Sequence, residues 1–286
     1  MRVKGFAAAG YDYCTLYASD FTFPTNASNH GKASMSVNSG AVIFDRKSYE
    51  AYQWLNPRDF DTSRLETLKS ILPEGMKIIV CGPGGVLENV TFLLGYEGLC
   101  YMLADDPELV EEVFAKVGSR LVEYYELALQ YDSVGACISN DDWGFYTQTM
   151  LSVPDMRKYV FKWHKKIADV IHRAGRPAIL HSCGQLSAVH DDIITDMNYD
   201  GKHSYEDKIM PVEQAYDILN PDIAVLGGLD LDFICRRTPC EIYDRACAML
   251  EKSRNKGGYA LGSGNSIPSY TPYENYLAMI AASIVN

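Results

Sequence analysis

The step His181-Ser182-Cys183-Gly184 is where residue types and spacing point most directly to chemistry. An H-x-C step just past the end of a strand sends an imidazole and a thiol toward one point. Zinc accepts imidazole nitrogen and thiolate sulfur in a tetrahedral shell and keeps one position open when it is catalytic. Bare H-x-C spacing also fits a buried histidine beside a structural thiol; the strand end before it and the glycine after it favour the ligand reading. Asn140-Asp141-Asp142-Trp143-Gly144 is the second constellation. Its adjacent carboxylates could bind substrate, orient a ligand histidine or supply a general acid, since crowding like charges raises one pKa; a helix cap and a solvated charge are the plainer alternatives. The third is His203-Ser204-Tyr205-Glu206-Asp207, where Glu206 could ligate a metal or act as a base, or stand as a solvated loop charge.

The elements that must position these residues follow an alternating rhythm. From residue 76 onward short β-rich runs alternate with helical stretches, the pattern of βα units on a parallel sheet. Strands are expected at 11–16, 41–44, 77–81, 135–139, 177–181, 199–204, 223–226 and 259–262, with a polar loop at 26–40. Helix starts are marked by Asp106-Pro107 and Ser152-Val153-Pro154, and a stop by Gly175. About eight strands suffice to close an α/β barrel of the TIM (β/α)8 type, and residues 1–286 read as one domain. A doubly wound open sheet is the rival, but neither a G-x-G-x-x-G nor a P-loop is present. In a barrel, the three constellations, together with Ser263 to Asn265, share the rim at the C-terminal strand ends.

Composition narrows the function classes. A net charge of −11 with no Lys/Arg-rich run argues against nucleic acid as a partner, because that affinity comes from neutralising phosphates. No apolar run approaches a membrane span or a signal h-region, so a cytoplasmic protein acting on a small molecule is expected. The eight cysteines form no CxxC pair, which disfavours a disulfide framework or zinc ribbon. Twenty tyrosines include two groups in loop-like stretches, Tyr11, Tyr13, Tyr17 and Tyr205, Tyr270, Tyr273, from which some pocket-lining residues are expected. A homodimer is the default assembly.

These motifs, with Gly95-Tyr96-Glu97, Asp106-Pro107-Glu108-Leu109, Gly264-Asn265-Ser266-Ile267-Pro268 and Pro272-Tyr273-Glu274-Asn275, resemble the uroporphyrinogen decarboxylase superfamily over residues 10 to 284. The H-x-C-G step is most similar to the cobamide-dependent methyltransferase branch. The resemblance implies a TIM barrel and a zinc ion held by His181 and Cys183, with a second cysteine in a Gly-Cys-x-Ile-Pro stretch. Asn265 stands at that cysteine's position, so a metal would have to recruit Glu206, His203 or Asp142. The leading expectation is a zinc-dependent methyltransferase moving a methyl group between a corrinoid or small methylated compound and a thiol or related acceptor, with a corrinoid protein as candidate partner. In it Asp142 and Glu206 are catalytic, while Asn140, Asp141, Tyr205 and Asn265 bind substrate. The alternatives are a decarboxylase-type carboxy-lyase, for which only Arg46, Arg236 and Arg237 lie near strand ends, and a binding paralogue without turnover.

Overall fold

A computed structural model describes residues 2–25 and 40–285. Seven strands form one parallel sheet in sequence order: β1 Tyr13–Tyr17, β2 Lys77–Cys81, β3 Val134–Asn140, β4 Ala178–His181, β5 Gly201–His203, β6 Ala224–Leu226 and β7 Tyr259–Ala260. Each strand pairs with the next, and an isolated bridge from Leu229 to Ser263 carries the β6–β7 contact further toward the rim. Parallel neighbours need a crossover, and helices supply it on the outer face. The sheet curls far enough that alternate residues of all seven strands, from Tyr13, Thr15 and Tyr17 of β1 round to Ala260 of β7, line one central cavity of about 370 Å³. This is the TIM-barrel arrangement.

The helix signals act where expected. Asp106 caps Pro107–Ala128 by accepting from the Leu109 amide at 3.0 Å, and Pro107 takes the first turn, where its missing N–H costs nothing. Ser152 caps the stretch beginning at Val153, which runs through one π-helical segment, Met156–Phe161, into Lys162–Arg173. Gly175, at φ +67°, ends it. Tyr124, Tyr125, Phe114 and Trp163 from the outer helices pack with the outward side of β2 and β3 in the main apolar core.

One expected strand is absent. Residues 41–44 lie along the end of the Val86–Leu94 helix, with the Val42 and Ile43 amides both donating to the Leu93 carbonyl at 2.9 and 3.0 Å. Ile43 is buried, so the apolar run does enter the core, but its backbone finds a helix terminus rather than a neighbouring strand. The sheet therefore has seven strands among the described residues where eight were expected. Most of the polar loop expected at 26–40 lies outside the described residues.

Candidate metal and substrate site

Strand register brings the first two constellations and part of the third together. Asn140 of β3 pairs with His181 of β4, which pairs with His203 of β5, so the three stand on one rung at the C-terminal rim. Side chains alternate along a strand, so this rung faces the cavity and its neighbours face outward. Beyond the rung, Asp142 and Cys183 turn back over the mouth: the Cys183 amide donates to Asp142 Oδ1 at 3.1 Å, Cys183 Sγ lies 3.9 Å from His181 Nε2, and Asp142 Oδ1 lies 4.0 Å from the same nitrogen. Imidazole, thiol and carboxylate each place one donor atom within 4.8 Å of the other two. His203 meets its neighbour through the other nitrogen, Nδ1 to Nδ1 at 2.6 Å, and its Nε2 donates to the Ser263 carbonyl at 3.1 Å.

The loops that carry these residues are held closely. Gly184, at φ +89°, packs its α-carbon against Gly144, and a β-carbon there would overlap the Gly144 backbone. Behind the Cys183 loop the buried Lys202 ammonium donates to the Ser182 carbonyl at 3.2 Å and the Ser204 carbonyl at 2.7 Å, with the Tyr205 ring beneath it. Ser204 is buried and held at φ +91°, a conformation that L-residues avoid, and its hydroxyl lies 3.2 Å from Cys183 Sγ. Burial without a paired carboxylate lowers the Lys202 pKa to about 8.

Electrostatics separate the acids. Burial, then the nearby Asp142, pushes the Cys183 thiol up to about 12 in the absence of a cation, while burial lowers the His181 pKa. Glu88, in the first turn of the Val86–Leu94 helix, lines the cavity. Burial, then Asp141 and Asp142, raises its pKa to about 8, well above the usual carboxylate range. Glu88 was not singled out from the sequence, because it lies 52 positions before Asn140 and only the fold brings it to the cavity.

The expected site residues fall into distinct places. Asn140, His181, Cys183 and Asp142 converge, and Asn265 joins them by donating from Nδ2 to Cys183 Sγ at 3.4 Å. Asp141, expected to bind substrate, faces away from the cavity. It is fully buried, accepts from the Leu87 and Glu88 amides at 2.8 Å each, and meets His164 Nε2 at 2.9 Å, so it anchors a helix N-terminus to β3. Glu206, expected as a catalytic group or third ligand, is exposed in a neighbouring groove lined also by Asn265, Arg236 and Arg237, and stands outside the donor cluster. Tyr205 is buried, its hydroxyl donating to the Lys202 carbonyl at 3.1 Å, which makes it a support of the rim. Of the tyrosines, Tyr11, Tyr13 and Tyr17 line the cavity, whereas Tyr270 and Tyr273 are exposed.

The donor set suits zinc: one imidazole, one thiol and one carboxylate lie near a common point, and His181 also lines the cavity. Of Glu206, His203 and Asp142, the groups the sequence offered as a third ligand, Asp142 is the one grouped with His181 and Cys183.

Comparison with known proteins adds ancestry to this geometry. A solved methyltransferase from Methanosarcina mazei shares the fold at a TM-score of 0.69 and 14% identity, with 98% of this chain and 82% of that one covered. A β-glycosidase from the hyperthermophile Thermosphaera aggregans follows at 0.51 and 12%, covering 98% and 83%. Uroporphyrinogen decarboxylase of Anaeromyxobacter sp. (strain Fw109-5) is 24% identical over 189 residues, 66% of this chain and 51% of that protein. The enzyme of that name from Myxococcus xanthus (strain DK1622) is 26% identical over 131 residues, 45% and 34%. These matches span about half the length of the relatives or less. The family model for uroporphyrinogen decarboxylase (URO-D) matches residues 62–283, which takes in every strand but β1 and the whole donor cluster, and the chain belongs to that family.

Proposed function

We propose that the chain is a zinc-dependent methyltransferase, moving a methyl group between a corrinoid or small methylated compound and a thiol or related acceptor. The observation that carries this reading is the convergence of Asp142, His181 and Cys183 at the mouth of the cavity. His181 Nε2, Cys183 Sγ and Asp142 Oδ1 would hold the ion; when bound, it would supply a Lewis acid that lowers the pKa of a coordinated thiol so that the thiolate can act as nucleophile. Asn265, at the position of the branch's second cysteine, hydrogen-bonds to Cys183 Sγ and stabilises negative charge on that sulfur. Asn140 and Glu88 offer hydrogen bonds to a substrate in the cavity, and Tyr11, Tyr13 and Tyr17 supply aromatic surface on its wall.

The decarboxylase reading draws on the names of the relatives. It would require a polyanionic porphyrinogen to sit where guanidinium groups converge, yet among the described residues lining the cavity there is no Lys or Arg. An uncharged or cationic methyl compound suits that wall better.

The test is zinc content of the purified chain together with methyl transfer from a methylated corrinoid to small thiols. About one zinc per chain, lost in Cys183→Ser and His181→Ala along with the activity, is the expected result. A metal-free protein that binds uroporphyrinogen tightly would reverse the order of the two readings.

A further inference from the structure

The metal reading names His181 as a ligand but leaves open why one of its two ring nitrogens should be available. Its neighbour supplies the answer. A carbonyl oxygen only accepts, so the 3.1 Å contact to Ser263 places a hydrogen on His203 Nε2. The two imidazoles then meet Nδ1 to Nδ1 at 2.6 Å, a separation at which one hydrogen must lie between them. Two neutral rings share two ring hydrogens. One is on His203 Nε2 and the other lies between the Nδ1 atoms; with the His203 ring neutral, His181 Nδ1 donates and His181 Nε2 is bare. That nitrogen is the one facing Cys183 Sγ at 3.9 Å and Asp142 Oδ1 at 4.0 Å.

The backbone makes room for this arrangement. Gly227 lies at φ +71° beside the Ser263–His203 contact, and a β-carbon there would overlap the Ser263 carbonyl and stand 2.8 Å from the His203 ring. On its other side the His203 ring meets His181 edge to edge through the two Nδ1 atoms, with centroids 4.8 Å apart. The ring is thus confined between a glycine and its partner, with a hydrogen bond at each nitrogen.

We infer that His203 is a positioning residue: anchored to the Ser263 carbonyl, it holds His181 in the Nδ1–H tautomer and presents the Nε2 lone pair to the point shared with Cys183 and Asp142. This rests on the zinc reading for its purpose but not for its test. Nitrogen-15 NMR of ring-labelled histidines in the full, metal-free chain at neutral pH reads the tautomer directly; His181 is expected in the Nδ1–H form. In His203→Leu that preference is expected to be lost, and zinc affinity, measured by competition with a chromophoric chelator, to fall about 10- to 100-fold. In His203→Asn, whose side-chain oxygen can take the place of the Nδ1 acceptor, tautomer and affinity are expected to recover most of the way.

A wild-type His181 in the Nε2–H form overturns the inference, and this measurement does not depend on any variant folding. Unchanged tautomer and affinity in His203→Leu overturn it as well. Loss of zinc in His203→Asn with the His181 tautomer intact would make His203 a ligand and not a positioner, which also overturns it. A chain that binds no zinc in any form refutes the metal reading alone, while the tautomer still decides the role of His203.

Discussion

Adjacent residues in this site have opposite duties, and the period of a strand explains why. Asn140 faces the cavity, so Asp141 must face out, and the chain uses its carboxylate to cap a helix and meet His164. Asp141→Asn is therefore expected to cost stability, about 3–5 kcal/mol for breaking a fully buried charge network, read as a lowered midpoint in urea. Zinc affinity should change far less than in Asp142→Asn. Glu88 gives a pH signature. Its pKa is near 4.5 when unfolded and about 8 when folded, so between those values the unfolded chain releases a proton that the native state retains. Stability contributed by this group is complete below pH 4.5, falls as pH rises toward 8 and is constant above. Glu88→Gln, which keeps an acceptor for the Gly85 amide, should flatten the decline of the melting temperature between pH 5 and 8; an unchanged slope would show that the acid is ionised in the native state.

At the scale of elements, two loops meet through glycines. Gly184 cannot take a side chain without moving the Gly144 backbone, so Gly184→Ala should displace the Cys183 loop. The strained left-handed conformation alone costs about 1–2 kcal/mol, and zinc affinity is expected to fall about tenfold or more while far-UV circular dichroism stays native. The H-x-C-G step was legible because its chemistry and its glycine lie within four consecutive positions. Pro107 and Ser152 were equally legible, since a cap acts on amides two or three residues away. What escaped was non-local. Residues 41–44 announce burial by their apolar character, but not whether their amides meet a strand or, as here, the Leu93 carbonyl. Glu206 follows β5 closely, but it lines a neighbouring groove shared with Asn265, Arg236 and Arg237 and lies outside the Asp142, His181 and Cys183 group. Lys202, one residue before the rung, was passed over because a lone lysine in a strand gives no sign that two carbonyls will bury it.

At the scale of the whole molecule, the barrel joins residues from distant segments, and a ligand that bridges them should stabilise the entire fold. Zinc bound by Asp142, His181 and Cys183 ties β3 to β4, so a hundredfold excess over its dissociation constant should add about 2.7 kcal/mol. For a chain of this length that is a rise of roughly 4–5 °C in melting temperature, reversed by a chelator. Magnesium at the same free concentration should leave the transition in place, because a site with thiolate and imidazole donors discriminates against a hard cation. Among the described residues no helix is long and apolar enough to cross a membrane.

Trp143 follows Asp142 directly, is wholly enclosed, and donates its backbone N–H to the hydroxyl of Ser182, the residue between His181 and Cys183. Its indole also lies edge-on to His164, with centroids 4.7 Å apart. The chain thereby carries a built-in optical gauge: of its three tryptophans, this one alone is threaded through both ligand-bearing loops, and its emission should report any tightening of them in real time.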